Sequence, residues 1–205
     1  MSADSLSVFV DATESAASAA TPLIPVVAGE HEAVPGLSDA QRAWVQANAF
    51  TGTTGSVLPV PGEDGGIACA LAGIGAADSG DPCGPAIVNI GRAAALLPAG
   101  AYRLQCAAED ATLGAIAYGL GAYRFQDFKA STVELARIAI PAEADAAKVR
   151  ATVTATYRGR DLINAPANAL GPSEIAQSVV DLARAHDAEV EVHKGESAEF
   201  ESEFP

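Results

Sequence analysis

Apolar and polar positions alternate along this chain in short runs whose spacing switches between two and three to four residues, the periods of strands and of helices. Ser7 to Val10 and Leu23 to Val27 are brief apolar stretches bounded by Pro, Gly and acids, and read as strands. A Gly, Pro and charge-rich loop follows. Ser38 then predicts a helix start, because its hydroxyl can accept a free N–H of the first turn while Gln41 reaches back to the Ser38 N–H. Ala40, Ala43, Trp44 and Ala47 are the expected apolar face, with Gly52 and Gly55 as the stop. Ser56 to Val60 and Ile67 to Ile74 flank Pro-Gly-Glu-Asp-Gly-Gly and predict a β-hairpin, its second arm apolar enough to be buried on both faces.

Beyond a Gly/Asp/Pro loop from Gly75 to Pro85, Ile87, Ile90, Ala94 and Leu97 predict a helix over 86–97, stopped by Pro98 and Gly100. Tyr102, Leu104 and Cys106 alternate as a strand. Leu113, Ile116, Ala117 and Leu120 then follow helical spacing, and Val133, Leu135, Ile138 and Ile140 suggest a further strand before Pro141. From Ala142 a long helix is expected, with Val149, Val153 and Tyr157 four apart. After the Asn-Ala-Pro-Ala-Asn turn at 164–168, Gly171 and Pro172 predict a new helix, since proline in the first turn gives up a hydrogen bond it would not make, and Glu174 suits the positive end. Ile175, Val179 and Leu182 give it one apolar face, and Val190 and Val192 read as the next strand.

Helix alternating with strand implies an α/β sandwich, divided near Pro141. The final helix and strand present apolar faces but no second layer of their own, so the chain is expected to stop inside a second domain. With 205 residues and 49% apolar content, a large core is within reach; the size scaling buries roughly 70% of the unfolded surface. Twelve Lys and Arg against 26 Asp and Glu leave a net charge of −14, which argues against nucleic-acid or membrane-surface partners. Cys69, Cys83 and Cys106 form no C-x-x-C pair and are expected to sit reduced in a cytoplasmic protein. The first twenty residues carry acids and no Lys or Arg, unlike the start of a secretory signal, and no apolar run reaches the length of a membrane span.

Candidate chemistry is sparse. Gly73-Ile-Gly75-Ala-Ala-Asp78 follows a strand as a dinucleotide loop does, but Asp stands where the third small residue belongs, and an ordinary turn is the better reading. Glu189, Glu191 and His193 share one side of the expected last strand and could in principle meet a metal; a solvated face accounts for them more simply. Glu30-His31-Glu32 and His186-Asp187 read as surface, and Glu63-Asp64 and Glu109-Asp110 as acids that turns and helix starts favour. There is no G-x-S-x-G elbow, no H-E-x-x-H and no phosphate-binding P-loop.

Two stretches carry a resemblance. Arg160-Asp161-Leu162-Ile163-Asn164-Ala165-Pro166-Ala167-Asn168, followed by Gly171-Pro172, closely resembles the segment that opens the catalytic domain of leucyl aminopeptidases. Upstream, Gly119-Leu120-Gly121-Ala122-Tyr123-Arg124-Phe125 with Lys129 is similar to that family's Gly-x-Tyr-x-Phe helix end, and the tail from Gly195 to Pro205 resembles the stretch ahead of the first catalytic-domain strands. The residues have local roles besides: Asn164 and Asn168 can satisfy backbone groups freed around Pro166, and Gly119 and Gly121 would loosen a helix end so that Tyr123 and Phe125 dock on the core.

The resemblance implies a macro-domain-like, three-layer α/β N-terminal domain over 1–141, a connecting helix over 142–163, and the start of an α/β metallopeptidase domain over 164–205. It further implies that the whole protein is a cytoplasmic hexamer in which two divalent ions, zinc or manganese, activate a water that cleaves the first bond of an unblocked peptide. The family's ligands lie in a Lys-bearing Gly-rich stretch and in an Asn-Thr-Asp-Ala-Glu-Gly-Arg stretch, and this sequence contains neither. No catalytic, metal or cofactor-binding residue is therefore carried over, and the expected role of this portion is scaffolding, beside the remainder of the catalytic domain and other copies of itself. The alternative is a macro-like module that holds a phosphorylated or nucleotide ligand in the glycine-rich loops 73–84.

Overall fold

In a computed structural model, residues 7–10, 19–77, 84–126 and 134–193 are described. Asp78, Cys83, Lys129, Val133 and the tail from Gly195 lie outside them. Two compact units divide the chain, Met1–Arg158 and Gly159–Pro205.

The first unit is built on a five-stranded sheet: β1 (Thr21–Val27), β2 (Val57–Pro61), β3 (Ile67–Gly75), β4 (Gly100–Leu104) and β5 (Ala136–Ala139), in the order β2-β3-β1-β4-β5. β2 and β3 form the expected antiparallel hairpin, and β3, β1, β4 and β5 run parallel. Alternation along β3 feeds two cores at once. Ala70, Ala72 and Ile74 enter the larger one, with Leu23, Tyr102, Leu104 and Ile138, whereas Cys69 and Leu71 enter a smaller one with Val26, Val34, Val45, Phe50, Leu58 and Val60. Helices on both faces of the sheet therefore complete the three-layer α/β architecture.

On the smaller side lies α1 (Asp39–Ala47), whose start is the predicted one: the Gln41 N–H donates to Ser38 Oγ (3.3 Å) and the Ser38 N–H to Gln41 Oε1 (3.0 Å). Its apolar face is not the predicted one. Val45 is buried, while Ala40, Ala43, Trp44 and Ala47 are exposed. Trp44 Nε1 donates to Pro59 O (3.2 Å) and Gln41 Nε2 to Pro61 O (3.1 Å), so both side chains serve the edge strand β2 rather than the core. Proline at 59 and 61 supplies no N–H there, which leaves this edge poorly suited to pairing with a further strand. The helix ends before the expected glycines, with Ala49 itself at φ 50°.

The larger core is covered by a 3₁₀ helix (Ala86–Ala95), α2 (Ala108–Gly121) and the first part of α3 (Ala146–Asn164). The 3₁₀ winding replaces the expected α-helix. Ile87, Ile90 and Ala93, three apart and all buried, stack along one side of this tighter helix. Gly91 brings its backbone against α2, where a Cβ would stand 2.5 Å from Ala117 O. α2 is wrapped on most sides, so Ala111, Gly114, Ala115, Tyr118 and Gly119 are buried while the expected Leu113, Ile116 and Leu120 are half-buried. Gly119 lies inside the helix and Gly121 is its last residue, and what both supply is close packing, against Val153 and Phe9 and against Gly91 respectively. Tyr123 does dock, edge-on to Tyr157 with ring centroids 5.0 Å apart.

At the far edge, Phe9 makes a single parallel bridge to Ile138, so 7–10 is one bridge rather than a strand. β5 has Ala136 and Ile138 facing the core, one residue out of phase with Leu135. Cys106 lies beyond the end of β4. α3 begins at Ala146 rather than Ala142 because the Asp145 carboxylate accepts the Lys148 N–H (2.9 Å), an N-cap that fixes the first turn.

In the second unit α3 ends at Asn164, and the Ala169 and Leu170 N–H groups turn back onto Pro166 O. α4 (Pro172–Ala185) starts with proline in its first turn, and the Gly171 N–H donates to Glu174 Oε2 (2.9 Å). Ile175, Val179 and Leu182 do form one face, which is exposed. The expected strand around Val190 and Val192 is absent: 189–193 has no regular structure and both valines are exposed, because no described strand of this unit offers hydrogen-bond partners.

Candidate functional site

The glycines of the supposed dinucleotide loop serve the chain itself. A Cβ at Gly73 would collide with Thr53 O and Ser56 Oγ, and one at Gly75 with Thr54 Oγ1, so the loop 52–56 fills the space where a phosphate would approach these two glycines. Asn89 Nδ2 also donates to Ile74 O (3.0 Å).

The other motifs resolve into local structure. Asp64 Oδ1 accepts from the Gly66 N–H (3.0 Å) in the hairpin turn, and Glu109 and Asp110 sit in the first turn of α2. His186 follows the end of α4 and is exposed. His193 Nε2 lies 3.7 Å from Glu191 Oε1, but without the strand no shared face forms with Glu189. His31 corrects the surface reading: it is half-buried at the head of a short 3₁₀ turn, with Nδ1 shut from solvent and unpartnered. Nearby, Arg42 donates to Glu32 O (2.8 Å) and Val34 O (3.3 Å). Among the described residues no group of three or more His, Cys, Asp or Glu side chains is placed to hold a metal ion, so a di-metal centre does not fit them.

A concavity lies where the sheet order reverses. From the carboxyl end of β1 the chain leads through α1 toward β2 and β3, whereas from β4 it leads through α2 to β5. Such divergence opens a crevice between neighbouring parallel strands. A cavity of about 760 Å³ is found there, lined by Ile24 and Pro25 of β1, by Arg103 to Ala107 at the end of β4, and by Pro141 to Glu143 after β5. Arg103, between Tyr102 and Leu104, takes the face of the sheet opposite the core that those two enter, and its Nε is buried without a partner. The sequence reading missed Arg103 and Glu143. A lone charge alternating with the apolar Tyr102 and Leu104 on a predicted strand was the one visible signal.

Cys106 in this cleft is a poor nucleophile. Burial, then the carboxylates of Asp110, Glu143 and Glu109, push its thiol up to about 11 from its ordinary 9.0. A thiol whose folded value is raised contributes stability below pH 9.0 that is lost as pH climbs toward about 11. At neutral pH, iodoacetamide should label the Cys106 peptide at least roughly tenfold more slowly in the folded chain than in urea. Equal rates would contradict this picture.

The comparisons with known proteins follow this architecture. The profile of the family described as "M17 aminopeptidase, N-terminal domain" matches residues 22–141, which hold all of the sheet but Thr21 at the start of β1. The solved cytosol aminopeptidase of Coxiella burnetii superposes with a TM-score of 0.80 at 26% identity over 97% of this chain. This chain spans 42% of that protein's length. The bottromycin maturation enzyme BotP superposes with a TM-score of 0.64 at 24% identity, over 87% of this chain and 40% of its own. A second structure of BotP, in complex with Mn, gives 0.63 at 23% over 86% of this chain and 38% of its own, and these two show likeness of fold. With a profile match across more than half of its residues, the chain belongs to the M17 aminopeptidases and carries their N-terminal domain.

Proposed function

We propose that this chain is the N-terminal, non-catalytic portion of a leucyl-aminopeptidase-like exopeptidase, a protein that removes N-terminal amino acids from peptides with a water activated by two divalent ions, zinc or manganese. The observation that carries the reading is the superposition on the Coxiella burnetii cytosol aminopeptidase, which accounts for 97% of this chain and 42% of that one. The metal-binding and catalytic residues belong to the remaining part of such a protein. This portion contributes a scaffold: it packs beside the remainder of the catalytic domain and makes contacts between copies, a hexamer in the assembled cytoplasmic enzyme. No described helix is long and apolar enough to cross a membrane. The exposed face of Ile175, Val179 and Leu182 on α4 supports the reading, since an apolar helix face of this kind is normally covered. The test is an assay on a leucyl anilide with manganese or zinc added. The 205-residue chain should show no turnover above the metal blank, and turnover by the purified chain would overturn the proposal.

A further inference from the structure

The side chains of Arg103 and Glu143 line the same cleft between β1 and β4, and among the described residues neither has an ion-pair or hydrogen-bond partner. Arg103 Nε is itself shut from solvent, so a ligand would meet the outer N–H groups of the guanidinium, a planar set of donors that a carboxylate matches best. Exposed Glu143 is the complementary acceptor for a cation. Opposite charges held apart across one cavity complement a ligand that bears both charges itself.

The surroundings narrow the ligand further. Ile24, Pro25, Leu104 and Ala107 supply apolar walls. Glu109 and Asp110 at the start of α2 join Glu143 in setting three carboxylates against one guanidinium, which disfavours a phosphate or nucleotide dianion. At about 760 Å³ the cavity is large for a single amino acid and falls within the usual range of small-ligand sites. We propose that the cleft binds a short apolar peptide with both termini free, a dipeptide in size, its carboxylate on Arg103 and its ammonium toward Glu143. The inference stands apart from the proposed exopeptidase role, since its readout is heat of binding without added metal, whereas that role is tested by turnover.

Titration calorimetry of the 205-residue chain with leucyl-leucine should give saturable heat. N-acetyl-leucyl-leucine, which lacks the ammonium, and leucyl-leucinamide, which lacks the carboxylate, should each bind about tenfold more weakly or worse. Glu143→Gln changes an exposed residue and should leave the fold intact while weakening leucyl-leucine by about fivefold to tenfold; Arg103→Gln should do the same for the carboxylate end. No heat with leucyl-leucine, equal binding of the blocked peptides, or unchanged affinity in Glu143→Gln would each overturn the proposal.

Discussion

Gly121→Ala is expected to destabilise the first unit by about 3 kcal/mol, the upper end of what forced overpacking costs. The added methyl would run into the carbonyl group of Gly91, with the Gly91 Cα 2.8 Å away. Those are backbone atoms of a buried 3₁₀ helix, so no flexible side chain can swing aside, and the segment from Ala86 to Ala95 would have to lift from α2 as a body. Lifting it would strip Ala86, Ile90, Ala93 and Ala94 of their neighbours in the larger core. Gly159→Ala is the contrasting case. Nothing lies within 4 Å of a Cβ there, in the interior of α3, and alanine should stabilise the helix by about 0.5–1 kcal/mol. Urea midpoints read by fluorescence of Trp44, the single tryptophan, report on the unit that holds Gly121. Similar midpoints for Gly121→Ala and the parent chain would refute the close-approach argument.

Tyr118→Ala should cost about 4 kcal/mol, because truncating a large, fully buried ring leaves a void that close-packed neighbours fill only in part. The hydroxyl matters separately. It donates to Ala136 O (3.2 Å) across the layer between α2 and β5, so Tyr118→Phe should lose about 1 kcal/mol while keeping the ring. Burial, and then the neighbouring Tyr102, hold the Tyr118 phenol well above its ordinary 10.0. The sign follows from which form is favoured: the folded state prefers the neutral phenol, so this contribution is complete below pH 10.0 and shrinks as the solution is made more alkaline. Denaturation titrations above that pH should therefore show a shallower loss of stability in Tyr118→Phe than in the parent. Parallel curves would sink the assignment.

The same two residues illustrate how much of the fold was legible. Tyr118 sits four residues before Ala122 in a run where almost every side chain is small or apolar, and a helix there follows from composition and spacing. Which face is inward does not, because the run is apolar nearly all round and the answer depends on what packs against it. The face of α1 was misjudged for a related reason. Three alanines and a tryptophan make a plausible apolar stripe, yet Val45 is the residue that fills the smaller core, while the indole N–H of Trp44 serves Pro59. The strand expected at Val190 failed because alternation prescribes only that a strand would be half-buried, not that a partner exists.

What the sequence determined alone was set by groups a few residues apart: the Ser38 and Gln41 reciprocal cap, the hairpin around Asp64, the Pro172 helix start with Glu174, and the two-sided burial of β3. Hydrogen bonds and steric limits at that range are nearly independent of the rest of the chain. Tertiary structure decided everything that joins distant segments. Strand order places Ile24, Arg103 and Glu143 around one cleft, and the contact of Gly91 with Gly121 fixes a 3₁₀ helix where spacing suggested an α-helix. The physical reason is that a side chain's chemistry is written in the sequence, while its partners are chosen by the packing of the whole sheet and its layers.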